Sequence, residues 1–316
     1  MNEKRWTPYM MNTLLTIALC GAYGFLQGPL SLVLGVLLSA LLGVVLYKEH
    51  YLLGILNAAL VLGIFIFCFD FTLALTNSIP IILLGAALAL GTRFKMPVHL
   101  LLLLCAGLYM ADLMVGMELI EHSSGGEVSI QSIMLESGNM VSEMFVSQYP
   151  GPEAEMLEDI IRSAIDLSIM LAPGMFMIIS SVFAFVLVVV YKKMMQKNHV
   201  DMSFLLPFEQ FQAERVISVL YLVLFVIVLS APSGKFLAMC LNVLLILSFI
   251  FIVFGMSVFD NIFKKKGIKK GLRRLVIVLL LIFSNTFLMI PVFAYLICGL
   301  LDSFFDYRHL RTKEEQ

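Results

Sequence analysis

Charged and amide side chains set beside long apolar runs are the first candidates for chemistry, because an ionisable group in lipid is costly and usually functional. Asp70, Asp112 and Asp166 stand near the ends of such runs, with Asn77 and Glu143 on adjoining segments. Converging from several helices, these carboxylates and the amide could hold a small ligand by charge and hydrogen bonding. Each could equally be solvated at the membrane–water boundary. Near the C-terminus, Asp302 and Asp306 lie four apart and so share a helix face, with Arg308 two residues beyond. That spacing suits an ion-pair cluster fixing the last helix to the basic loop from Lys264 to Arg274; a partner or substrate site is the other reading. Met110, Met114 and Met117 share a helical face near Glu121 and His122. Thioethers can ligate copper(I), but methionine more often serves as adaptable packing, so no metal and no cofactor is expected.

The chain carries no H-E-x-x-H, G-x-S-x-G, Walker A, G-x-G-x-x-G or C-x-x-C pattern, and its histidines are scattered. Neither an enzyme nor an ATP-driven motor is expected. Cys20, Cys68, Cys105, Cys240 and Cys298 all fall in apolar runs and are odd in number. They read as small buried hydrophobes rather than a disulfide framework. Asn57 and Asn242 lie deeper in apolar runs, where an asparagine usually bonds a neighbouring helix.

The positioning elements follow from composition. With 60% hydrophobic and 14% charged residues over 316, the chain falls outside the globular range. The apolar runs are continuous, and about 20 apolar residues cross a bilayer. The expected fold is an all-α integral membrane protein, a polytopic bundle of 8–10 transmembrane helices. Spans are expected at 9–26, 30–47, 51–68, 71–91, 98–117, 175–191, 216–229 and 236–259. The fourth, with Thr76, Asn77, Ser78 and Pro80 in its first half, could start broken or re-entrant. The run 275–307 is a hairpin turning near Ser284-Asn285-Thr286, or one helix kinked at Pro291; the charge rule favours the hairpin.

Lys48, Arg93 with Lys95, Lys192, Lys193, Lys197 and the 264–274 cluster all face the cytoplasm if the N-terminus is inside. The acidic stretch then lies outside. Eleven of the 22 acidic residues fall between Asp112 and Gly174, with Arg162 as the one cation. Within it, Ile130, Ile133, Met134, Val141, Met144 and Phe145 recur at helical spacing, an amphipathic helix fit to lie on the membrane or cap the bundle. A second helix begins at Glu153 and is interrupted at Pro173-Gly174. The chain accordingly divides into a six-span bundle at 1–193 that includes the excursion 118–166, an interfacial segment at 194–215, and membrane helices with a basic loop at 216–316. The segregated charges exclude nucleic acid as a partner. The basic run Lys264–Arg274 could bind anionic lipid or serve as a topology anchor.

Ala18 and Ala22, four apart, form a small-residue face on the first span, as do Gly85 and Ala89 on the fourth. Such faces serve close helix packing or docking of a partner. Several C-terminal pieces, taken together, resemble a known family: Leu171-Ala-Pro-Gly before a span ending Tyr191-Lys-Lys, Leu206-Pro-Phe208, Gly255-Met-Ser-Val-Phe259, and the terminal piece with Gly299, Asp302, Asp306 and Arg308. The chain resembles the YybS-like DUF2232 family of bacterial polytopic membrane proteins. Where such proteins often show Trp and Pro after Phe208, this chain has Phe211-Gln-Ala-Glu-Arg-Val. That family is distantly similar to the substrate-binding S-components of energy-coupling-factor transporters and to MreD-type shape proteins. The resemblance implies an S-component-like first six spans in the bacterial cytoplasmic membrane and a ligand held from outside. It also implies docking through the Ala18 and Ala22 face on a transmembrane coupling subunit that works with ATPases.

Overall fold

The computed structural model describes residues 6–308 apart from 27–28, 49–50, 126–128, 149–151, 231–232 and 283–288. Among the described residues every regular element is a helix, with no strand. The helices are α1 (Trp6–Phe25), α2 (Pro29–Lys48), α3 (Tyr51–Cys68), α4 (Phe71–Arg93), α5 (Val98–Ser123), α6 (Ile130–Gln148), α7 (Pro152–Lys197), α8 (Arg215–Leu229), α9 (Gly234–Lys265), α10 (Lys270–Ile282) and α11 (Ile290–Phe305). Among the described residues five helices are long and apolar enough to cross a membrane, and four shorter ones are apolar. The expected polytopic helical bundle is what the chain builds. The expected turns at 28, 150–151, 231–232 and 284–286, and the cations at 4, 5, 311 and 313, lie outside the described residues.

The chain forms two compact units, residues 1–165 with 179–205, and residues 166–178 with 206–316. In the first, Cys20, Leu38, Val61, Phe65, Ala74 and Ile81 form a core shared by α1 to α4. The α2–α4 contact is set by glycines. A Cβ at Gly85 would stand 3.1 Å from the Leu42 Cβ and 3.2 Å from the Ser39 carbonyl, and Gly43 is equally crowded by Leu88 and Tyr191. The small face expected around Gly85 is therefore an internal packing face. Tyr191 closes the same region, its buried hydroxyl 2.9 Å from the Thr92 hydroxyl. The reciprocal bonds between Ser129 and Ser132 cap the start of the amphipathic helix α6.

Two expectations about helix continuity are corrected. The fourth span is neither broken nor re-entrant: α4 runs through Pro80, and Thr76 and Asn77 return side-chain bonds to Thr72 and Leu73 one turn back. Pro173-Gly174 does not end a helix either, since α7 is continuous for 46 residues, about 70 Å at 1.5 Å per residue. The reason lies on α9. The Asn242 carboxamide accepts from the Gly174 N–H at 2.7 Å and donates to the Met170 carbonyl at 2.8 Å, standing in for the helix bond between them. A Cβ at Gly174 would sit 2.8 Å from that amide oxygen, so glycine is needed there. Asn242→Ala is expected to lower stability by about 1 kcal/mol. The loss should shrink when Pro173→Ala is added, because α7 can then close its own bonds. Thermal unfolding of the two single variants and the double variant checks the coupling.

In the second unit, α9 is the central helix. The run 275–307 is two helices, not one. Arg273 at the start of α10 and Arg308 just past the end of α11 both attach near the C-terminal end of α9. α10 therefore leads away from that end and α11 returns to it.

Candidate functional site

The α9–α11 crossing is the closest helix contact in the second unit, and it places the polar groups. A Cβ on Gly255 would fall on the Tyr295 carbonyl oxygen, and one on Gly299 on the Phe251 carbonyl oxygen. With no side chains between them, the two backbones touch. Their next turns then bring Ser257 of α9 and Asp302 of α11 within reach of one side chain, Arg308. α11 stops at Phe305, and Asp306 comes next in the left-handed conformation at φ 46°, its N–H returned to the Asp302 carbonyl. That turn folds Arg308 back onto Asp302.

Arg308 then gathers three segments. Its Nε and Nη2 donate to Asp302 Oδ2 at 3.0 and 2.7 Å. Nη1 donates to the Glu209 carbonyl at 2.9 Å and to Ser257 Oγ at 2.8 Å, and Nη2 to the Phe211 carbonyl at 2.7 Å. Ser257 Oγ in turn donates to the Phe208 carbonyl at 2.6 Å. Gln212 spans from the Asp302 carbonyl to Asp306 Oδ1 at 2.9 Å, and the Ser218 and Ser303 hydroxyls meet alongside. Of the terminal signature, Gly299 sets the crossing, Asp306 the turn, and Asp302 with Arg308 the buried pair.

The basic loop does not supply the partner expected for Asp302. Arg273 reaches Asp260 instead, at 3.1 Å, with both side chains buried. Lys264 pairs with Glu209 at 2.9 Å. Three acids and three cations thus neutralise one another around the end of α9. Burial acts to raise the Glu209 carboxyl, but the hydrogen bond from Lys264 and the charge of Lys270 outweigh it and hold the group below the usual carboxylate range. A depressed native value gives stability that is present in full above the unfolded value and lost as pH falls through the native one. Glu209→Gln is therefore expected to lower stability modestly at neutral pH and to flatten the acid limb of the stability curve, as read by thermal unfolding from neutral to about pH 3.

The first unit holds a second polar group. The Tyr23 hydroxyl of α1 donates to Asn77 Oδ1 of α4 at 2.9 Å. Asp112 of α5 acts electrostatically on Tyr23 and on Tyr109. The Tyr109 hydroxyl is buried, with no hydrogen-bond partner among the described residues. Of the five expected ligand contacts, Asn77 and Asp112 join this half-buried group. Asp70, which precedes α4, and Glu143 on α6 are both exposed. Asp166 is exposed on α7 and belongs to the second unit. An apolar groove along α5, lined by Met96, Leu100, Leu103, Leu104, Gly107 and Leu108, includes none of the five. Ala18 is exposed and Ala22 half-buried on α1, and the open space beside Gly21 continues that face.

Sequence reasoning missed Asp260, Ser257, Tyr23 and Tyr109. Asp260 had a usable signal, since the rule that singles out an acid beside an apolar run applies to it as it does to Asp112. The tyrosines had none, because aromatic residues at span ends are ordinary interface anchors. No curated protein and no solved structure matches the chain. The family described as DUF2232, predicted membrane protein, matches residues 14–303, nearly the whole length, and the chain belongs to that family of multi-pass membrane proteins.

Proposed function

We propose that the protein is a membrane subunit that binds a small ligand at the polar group of Tyr23, Asn77, Tyr109 and Asp112. In this reading the N-terminus is cytoplasmic, the acidic excursion 118–166 is extracytoplasmic, and the ligand arrives from outside. The chain has no ATPase of its own and performs no enzymatic reaction. It works with partner membrane proteins, for which the uncovered face at Ala18 and Ala22 is the docking surface. The observation that carries the reading is the Tyr109 hydroxyl, buried beside a carboxylate and left without a partner among the described residues. A buried hydroxyl without a hydrogen bond is costly, and a bound polar ligand would satisfy it.

The test is ligand-induced thermal stabilisation of the purified chain with a panel of vitamins and divalent metals. It is paired with Tyr109→Phe and Asp112→Asn. Stabilisation by one compound that both substitutions reduce tenfold or more in affinity supports the reading. Stabilisation by none of the panel, together with failure to co-purify a coupling subunit, overturns it.

A second reading, a non-transporting scaffold or regulator of the cell envelope, is favoured by the charge-neutral ion-pair network around α9. Such a network holds helices in register, and each of its charges is paired within the protein. This reading expects stable membrane partners and full tolerance of Asp70→Ala, Asp112→Ala and Asp166→Ala.

A further inference from the structure

We propose that the α9–α10 corner is a binding platform for the headgroups of anionic phospholipids. The stretch from Lys264 to Arg274 carries seven cations and no acid. Two are already used within the protein, Lys264 on Glu209 and Arg273 on Asp260. The other five, Lys265, Lys266, Lys269, Lys270 and Arg274, are all exposed and take part in no ion pair among the described residues.

The corner that carries them is held in one shape. Gly267, at φ 75°, closes α9 with Gly267 N–H to the Lys264 carbonyl at 3.0 Å and Ile268 N–H to the Phe263 carbonyl at 3.1 Å. That is the paired bonding of a Schellman stop. The Arg273–Asp260 pair then ties the first turn of α10 back to α9. A loop that only fixed topology would need its positive charge and no defined geometry. Here Lys265 and Lys266 at the end of α9 are held beside Lys269 and Lys270 at the start of α10.

The residues next to these cations on α10 identify the occupant. α10 buries Arg273 and Ile277 and turns Leu272, Leu275, Val278 and Leu279 outward. Cations give way to an exposed apolar stripe within about one helical turn, which is the change from headgroup to hydrocarbon in a bilayer. An acidic protein or a free polyanion in water would satisfy the lysines and leave the stripe wet. A phospholipid satisfies both, its phosphate on the cations and its acyl chains along the stripe. Each basic residue at an anionic membrane surface is worth roughly a fivefold gain in partitioning, so five acting together give strong selection.

The test is native mass spectrometry of the full-length protein after exchange into mixed micelles of phosphatidylglycerol and phosphatidylcholine at equal concentration. At least tenfold enrichment of retained phosphatidylglycerol is expected. Changing Lys265, Lys266, Lys269, Lys270 and Arg274 together to Gln should bring the ratio near one, whereas arginine at the four lysine positions should keep it. Lys193→Gln with Lys197→Gln should also leave it unchanged. Thermal unfolding of each variant checks that it is folded. Enrichment that survives the five-Gln change overturns the proposal. So does displacement of the lipid by inorganic phosphate at matched concentration, which would make the corner a free-phosphate site. Both outcomes are independent of any ligand at Tyr109 and Asp112.

Discussion

Arg308→Met is expected to destabilise the protein by about 3–5 kcal/mol, the usual cost of leaving one partner of a buried ion pair uncompensated. Asp302 is 1% exposed and has Arg308 as its one cation within ion-pair distance among the described residues. The substitution also strips the Glu209 and Phe211 carbonyls and the Ser257 hydroxyl of a donor. Arg308→Lys should recover little of the loss. A lysine offers one ammonium at the end of a flexible stem, whereas the guanidinium reaches its acceptors in several directions from one plane. Asp302→Leu combined with Arg308→Met removes the orphaned charge and should be more stable than Arg308→Met alone. Thermal or chaotrope unfolding in detergent separates the three variants. A loss for Arg308→Met below about 1 kcal/mol would mean the pair behaves as a solvated one and the geometry is not what holds α11.

The second large effect is expected at the helix crossing. Gly299→Ala should cost on the order of 3 kcal/mol, at the upper end for an overpacked site. The added Cβ would meet the Phe251 carbonyl oxygen and stand 2.8 Å from the Gly255 nitrogen. Those are backbone atoms of α9, which no side-chain rotation can move away. Gly255→Ala should do the same against Tyr295, where the new atom would lie 2.7 Å from the Tyr295 Cα. Gly116 on α5 and Gly63 on α3 provide the contrast. A Cβ on either meets nothing within 4 Å, so alanine there should be neutral or stabilise slightly through helix propensity. Equal Tm values for Gly299→Ala and Gly116→Ala would show that the α9–α11 backbones do not touch.

Both effects arise at residues of the terminal signature, and the sequence identified the residues without their roles. Asp302 and Asp306 sit at helical spacing, which placed them on one face pointing toward the basic loop. The helix in fact ends at Phe305, and the left-handed Asp306 turns Arg308 back onto Asp302. Spacing rules assume that the helix continues, and nothing in the residue types announced the stop. The basic loop then had a cation to spare for Asp260.

Hydrophobic run length by itself determined the class and the approximate positions of the apolar helices, because each span satisfies its own backbone hydrogen bonds and needs no partner to do so; it left open whether 275–307 is one helix or two. The recurrence of apolar residues at helical spacing likewise determined that 130–148 is an amphipathic helix. Tertiary structure alone decided the outcome where a helix is locally compromised. Pro173 reads as a break, and α7 continues because Asn242 on α9, 68 residues away in sequence from Gly174, bridges Gly174 and Met170. It also decided which polar groups meet: Tyr23, Asn77 and Asp112 come together while Glu143 and Asp166 stay exposed. The physical reason is the same in each case. A span's existence is a local free energy summed along the chain, whereas the partner of a buried polar group depends on helix rotation and crossing. Those are set here by contacts such as Gly255 against Tyr295, between residues remote in sequence.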